Sequence, residues 1–235
     1  MQLIELFNVL LGSAINFLAI ILGSILGLIF KQGISAEMKN TVMQGLGLVV
    51  IYLGMSMAFE SENILIVIFS MVLGGITGET LSIEGRLNNL GDRLKHKIGS
   101  EEGQFTEGFV FASLIYCVGA LAVVGALESG LNHNHEILYT KSLLDGTSAI
   151  AFTSSMGIGV AFAAVPVLLY QGVIAVLADS ISGFLADIVI SEMTSVGGIL
   201  ILAIGLNILN IAEIKIANLL PAILYAAVIA NLFLV

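Results

Sequence analysis

Two aspartates interrupt hydrophobic sequence. Asp179 lies in the apolar stretch 165–187 and Asp145 in the stretch 142–162, and neither stretch contains Lys or Arg. A carboxylate in such surroundings is costly unless it meets a cation, a proton, water or hydrogen-bond donors. Asp179 stands about eight residues inside its stretch, roughly 12 Å at the helical rise of 1.5 Å per residue. The chemistry this suggests is a cation or proton site, or a carboxylate lining a hydrated cavity. The alternative is a protonated or hydrogen-bonded Asp that fixes helix packing. Asp145 sits about three residues inside its stretch and precedes Gly146-Thr147-Ser148, which suits either a water-exposed mouth or a helix N-cap.

Amides and hydroxyls add to these carboxylates. Gln171 and Ser180 share the stretch of Asp179, and Asn16, Ser56 and Asn207 fall within other apolar stretches. Singly, such groups commonly bond one membrane helix to another. Together with Asp145 and Asp179 they outline a polar path for a small solute, a cation or a proton-coupled substrate. The run from Thr153 to Gly159, TSSMGIG, is a place where a helix could break and present backbone carbonyls.

The elements that hold these groups follow from composition. Of 235 residues, 58% are hydrophobic and 11% charged, and mean hydropathy is +1.07. A soluble domain carries roughly a quarter charged residues. The chain is therefore expected to be an all-α integral membrane protein, a single transmembrane domain over 1–235 with the lipid bilayer as its first partner. Stretches long enough to cross a hydrocarbon core of about 30 Å occur near 6–30, 42–59, 63–80, 106–127, 142–162, 165–187, 196–212 and 216–234. That predicts about eight transmembrane helices. The first lacks a basic leader and a small-residue cleavage site before Lys31, so it is expected to remain in the mature protein. Between the third and fourth, residues 84–98 place Leu87, Leu90, Leu94 and Ile98 at helical spacing, an amphipathic interfacial helix.

Charge placement sets an orientation. Lys31, Lys39, Arg86, Arg93, Lys95, Lys97 and Lys215 share one side of an eight-span arrangement, and Lys141 alone falls opposite. Basic loops stay cytoplasmic, so both termini are expected outside. The formal charge of -9 comes from dispersed carboxylates, and no basic patch offers a nucleic-acid surface.

The chain also repeats itself. At an offset of 156, Ala19, Ser24, Ile25, Gly27 and Ser35 match Ala175, Ser180, Ile181, Gly183 and Ser191. At an offset of 151, Gly47 and Gly54 match Gly198 and Gly205, and Ser56 matches Asn207. Asn63-Ile64-Leu65 and Asn218-Leu219-Leu220 suggest a third pair. Each copy is displaced by five helices, an odd number, so two three-helix units, 1–80 and 163–235, would cross in opposite directions. Residues 81–104 would form a cytoplasmic amphipathic loop, and 105–162 would supply intervening helices. Small-x-x-x-small pairs such as Gly23 with Gly27 permit close packing, within one chain or in a homodimer.

Enzyme chemistry finds little support. GxxxxGK, HExxH and CxxC are absent, and the lone Cys117 forbids an internal disulfide. Paired intramembrane aspartates can serve proteolysis, but Leu143-Leu144 precede Asp145 where GxGD is required, and Ala178 precedes Asp179. The loop NHNHE around His133, His135 and Glu136 lacks a well-spaced fourth ligand, so neither a metal nor a cofactor is expected.

The stretch Cys117-Val118-Gly119-Ala120-Leu121-Ala122, the run from Lys141 to Asp145-Gly146, and Tyr170-Gln171-Gly172 resemble the YqgA/YdfK family of bacterial inner-membrane proteins. The resemblance covers essentially the whole chain, departing at Ala120 where Pro is common in that family. It implies a plasma-membrane location and a transport role with no named substrate, and it draws attention to Asp145, Gly146, Gln171 and Gly172. The contrasting reading is a non-transporting sensor or partner that signals through 84–98.

Overall fold

A computed structural model of the chain describes residues 2–31, 36–86, 89 and 105–234. All regular structure among the described residues is helical, as lipid requires of segments that must satisfy their backbone groups internally. The helices are α1 (Gln2–Lys31), α2 (Ala36–Ala58), α3 (Ile64–Leu81), α4 (Phe105–Cys117), α5 (Ala120–Asn132), α6 (Glu136–Met156), α7 (Gly159–Phe162), α8 (Ala164–Val176), α9 (Ala178–Ile181), α10 (Asp187–Ile208), α11 (Ile216–Leu219) and α12 (Pro221–Leu234). Residues 84–86 and 89 are helical, while the rest of the expected amphipathic segment 84–98 lies outside the described residues.

Six stretches are long and apolar enough to cross a membrane: Glu5–Phe30, Asn40–Ala58, Ile64–Leu81, Gly159–Val176, Asp187–Ile208 and Ile216–Leu234. The pair α4 and α5, bent by 60°, makes a seventh if it acts as one span. The bend falls at Gly119, whose φ of 125° and ψ of 150° admit only glycine comfortably, so no proline is needed there. The remaining expected helix, the fifth, corresponds to α6, which has 21 residues but carries Glu136, Lys141 and Asp145 and is not among the apolar stretches.

Three expected segments move, and that read as 196–212 is α10, Asp187–Ile208. The segment read as 142–162 is α6, Glu136–Met156, and that read as 165–187 begins at Gly159 and ends at Val176. The charge of Lys141 made an earlier helix start look unfavourable, yet its partner lies one turn along the same helix. The helix stops at Gly157, whose φ of 85° an L side chain would strain against. The suspected break at 153–159 is real, and it falls between helices. Both prolines occupy first turns, Pro166 in α8 and Pro221 in α12, where a missing N–H costs nothing.

The helices form two compact units. The first comprises Met1–Gly33 and Glu107–Gly183. In it α1 runs parallel to α6. Gly12 meets Leu138, Gly23 meets Gly146 and Ala149, and Gly27 meets Ile150 and Thr153, so contacts rise together along both helices. Phe111 of α4 packs edge-on against Phe152 of α6, with ring centroids 4.7 Å apart.

The second unit comprises Ile34–Thr106 and Phe184–Val235. Here α2 runs antiparallel to α10, Gly47 lying opposite Gly205 and Gly54 opposite Gly198. Likewise α3 meets α12 and α11 in antiparallel order, Gly74 against Ala222 and Gly78 against Asn218. Val67, Val196, Ala222 and Ala226 fill the space between them. A wholly buried carboxylate, Glu192 of α10, accepts the Ser61 hydroxyl at 2.7 Å and the backbone N–H groups of Glu62 and Asn63, both at 2.9 Å. It thereby closes the N-terminus of α3, whose unpaired N–H groups favour an anion.

These contacts predict opposite outcomes at two glycines of α2. A Cβ at Gly54 would meet the Leu202 backbone and stand 2.7 Å from the Gly198 carbonyl, whereas nothing lies within 4 Å of one at Gly45. Gly54→Val should destabilise the detergent-solubilised protein by about 3 kcal/mol, and Gly45→Ala should be neutral or stabilising by up to about 1 kcal/mol. Thermal melting of both variants checks this.

Candidate functional site

Helix α6 can carry many polar residues because their hydroxyls turn inward along the backbone. Ser142 donates to the Leu138 carbonyl at 2.6 Å, Thr147 to Leu143 at 2.7 Å and Ser148 to Asp145 at 3.0 Å. Lys141 and Asp145 lie one turn apart and therefore share a face. The ammonium Nζ donates to Asp145 Oδ2 at 2.5 Å, and both side chains are more than nine-tenths buried. Lys141 Nζ also stands 5.9 Å from the centroid of the Tyr116 ring of α4.

Two other helices complete the cluster. Asn16 of α1 donates through Nδ2 to Asp145 Oδ2 at 2.9 Å and to Gln171 Oε1 of α8 at 3.3 Å. Asn16 and Gln171 have no solvent exposure. Side chains from α1, α4, α6 and α8 thus converge within the first unit. Separating either charge from its partner in such a place leaves a buried ion, a loss of about 3–5 kcal/mol. The pair has no net charge, so a cation approaching Asp145 must displace the Lys141 ammonium.

The sequence expectations divide over this geometry. Asp145, Asn16 and Gln171 come together, and Gly146 and Gly172 stand beside them, packed against Ala19 and Leu10. Asp179 and Ser180 do not join them. They lie exposed in α9, past the end of the apolar stretch at Val176, and of the two aspartates Asp145 is the one buried in the protein. Asn207 belongs to the second unit, where its side chain bonds the Ile214 backbone N–H and carbonyl, each at 2.9 Å, and pins the turn after α10. Ser56 is exposed on α2.

Lys141 was the principal residue that sequence reasoning missed, having been counted as a loop charge. Its signal was present in the spacing: four residues separate it from Asp145. Tyr116 and Glu192 gave no comparable sign. His133 and His135 belong to no cluster of three metal-ligating side chains among the described residues. His135 Nδ1 bonds Ser129 Oγ at 2.9 Å, and that hydroxyl donates to the Val9 carbonyl at 2.8 Å, so the imidazole donates and ties α1 to the α5–α6 turn. Burial, reinforced by His133, holds His135 below its ordinary value of 6.5.

Comparison with known proteins gives the geometry a family context. The family described as "Protein of unknown function (DUF554)" matches residues 11–231. The chain is 35% identical over 222 residues to the uncharacterized membrane protein YdfK of Bacillus subtilis (strain 168), covering 93% of this chain and 94% of that one. It is 28% identical over 223 residues to the uncharacterized protein YqgA of Escherichia coli (strain K12), covering 92% and 94%. No solved structure matches the chain.

A double-mutant cycle reads the buried pair. Lys141→Met and Asp145→Leu should each lower stability by about 3–5 kcal/mol, and the double variant should lose less than the sum of the two. Strict additivity in detergent melts would show that the charges do not interact. His135 makes a separate prediction through pH. The fold favours neutral imidazole, so this contribution is present above pH 6.5 and is lost as pH falls below it. The melting temperature should fall between pH 7.5 and 5 more steeply in the parent protein than in His135→Asn.

Proposed function

The chain belongs to the DUF554 family, and on that footing we propose that it is a bacterial inner-membrane transporter of a small solute, proton-coupled through Lys141 and Asp145. The observation that carries this reading is the buried ion pair bracketed by the Asn16 and Gln171 amides, on helices from separated parts of the chain. Ionisable groups away from water mark substrate or proton pathways in membrane proteins. A proton on Asp145 cancels the charge that holds Lys141, releasing the ammonium from its partner. The other groups facing the pair are Asn16 from α1, Tyr116 and Cys117 from α4, Ser148 from α6 and Gln171 from α8, and none of them replaces the lost carboxylate charge.

Eight crossings are part of the proposal. At 1.5 Å per residue, α6 is roughly 31 Å long, enough to span a bilayer. It runs parallel to α1 with its polar face turned inward, as the fifth span must when three crossings, an odd number, separate it from the first. Lys141, paired inside the protein, leaves the loop-charge count. The remaining basic residues then share the cytoplasmic side, and both termini lie outside.

An inverted repeat suits the same arrangement. The proposed copies α2 and α10 pack antiparallel in crossed order, Gly47 against Gly205 and Gly54 against Gly198, as a local two-fold relation demands. Asn16 and Gln171 belong to the other proposed pair, α1 and α8, so the polar path lies where the two three-helix units approach each other.

Purified protein in liposomes, tested against a panel of ions and small metabolites under both gradient polarities, is the decisive assay. At least one solute should move faster when a proton gradient is applied. Asp145→Asn and Lys141→Met should lower that flux at least about tenfold, while Asp179→Asn leaves it unchanged. A panel with no flux under any gradient overturns the proposal.

A further inference from the structure

The amide pair beside the ions has unused hydrogen-bonding capacity of a definite kind. Asn16 spends its amino group on Asp145 and Gln171, and Gln171 spends its carbonyl on Asn16. Among the described residues Asn16 Oδ1 and Gln171 Nε2 have no hydrogen-bond partner, although both residues are fully buried. Buried donors and acceptors left unmet cost about 1–3 kcal/mol each. Turning an amide over does not help. Reversing Gln171 would set its amino group against the Asn16 amino group, and reversing Asn16 would set its oxygen against the Asp145 carboxylate. The neighbours therefore enforce one free acceptor and one free donor, on two adjoining side chains.

Lys141 and Asp145 neutralise each other at this place, so the amide pair offers polarity without net charge. We infer that it recognises a small uncharged solute carrying a donor and an acceptor together, of the carboxamide or urea type. The solute's N–H donates to Asn16 Oδ1, and its carbonyl accepts from Gln171 Nε2. Gly172, adjacent to Gln171, keeps a side chain off the α8 backbone beside the amide; a Cβ there would meet Leu10 at 3.1 Å. This deepens the transport reading and rests on it.

Proteoliposomes mixed rapidly with acetamide or urea, and followed by light scattering, test the assignment. Uptake of at least one of the two should exceed that of protein-free liposomes about tenfold and rise further when a proton gradient is applied. Gln171→Glu keeps the acceptor that Asn16 uses and removes the donor; Gln171→Met removes both. Each should reduce uptake by about fivefold to tenfold, the loss of one or two buried hydrogen bonds, in samples whose melting and monodispersity match the parent. Uptake that is unchanged in both variants overturns the assignment. So does a parent protein that moves an ion but neither amide, a result that leaves the transport reading standing. If no ion, metabolite or amide moves, both fail together.

Discussion

The first unit depends on a single contact, the bond between Lys141 and Asp145. Neither charge is tolerable alone where it sits, with both side chains under a tenth exposed. Paired, they let α6 extend to Glu136 and bury a polar face against α1. The close approach of those helices at Gly23 and Gly27 brings Asn16 within 2.9 Å of the carboxylate, and Asn16 in turn reaches Gln171. Ion pair, helix register and amide bridge form one cooperative arrangement.

The second unit is organised on a different principle. Its helices meet through small residues, Gly47, Gly54, Gly74 and Gly78, facing Gly205, Gly198, Ala222 and Asn218. Without a hydrophobic drive between helices in lipid, such close backbone contact supplies the packing. Its buried carboxylate, Glu192, is satisfied by backbone N–H groups and a hydroxyl, which suits a fixed structural role. The contrast with Asp145, held by a buried ammonium and a side-chain amide, separates the two carboxylates by chemistry.

Membrane character was plain in the sequence because long apolar stretches dominate everything else, and Asn16 and Gln171 were recognisable as polar exceptions within them. Depth was harder. Hydropathy counts Glu136 and Lys141 against a helix, which set the start of α6 too late and made Asp145 look like a mouth residue. It also ran the next stretch on to Asp187, drawing Asp179 inward. The real boundaries are set by Gly157, by the turn at Leu177 and by a salt bridge within one helix, none of which an average over residues registers. Glu192 was invisible for a related reason: its partners, Ser61 to Asn63, lie about 130 residues away in sequence.

Maleimide labelling of intact cells, in a Cys117→Ala background, tests most directly whether Asp145 is the deep carboxylate and Asp179 the peripheral one. The account predicts that a cysteine introduced by Asp179→Cys reacts with a membrane-impermeant reagent added outside. One introduced by Asp145→Cys should stay unlabelled until the protein is denatured. Rapid labelling at 145 with protection at 179 would contradict it.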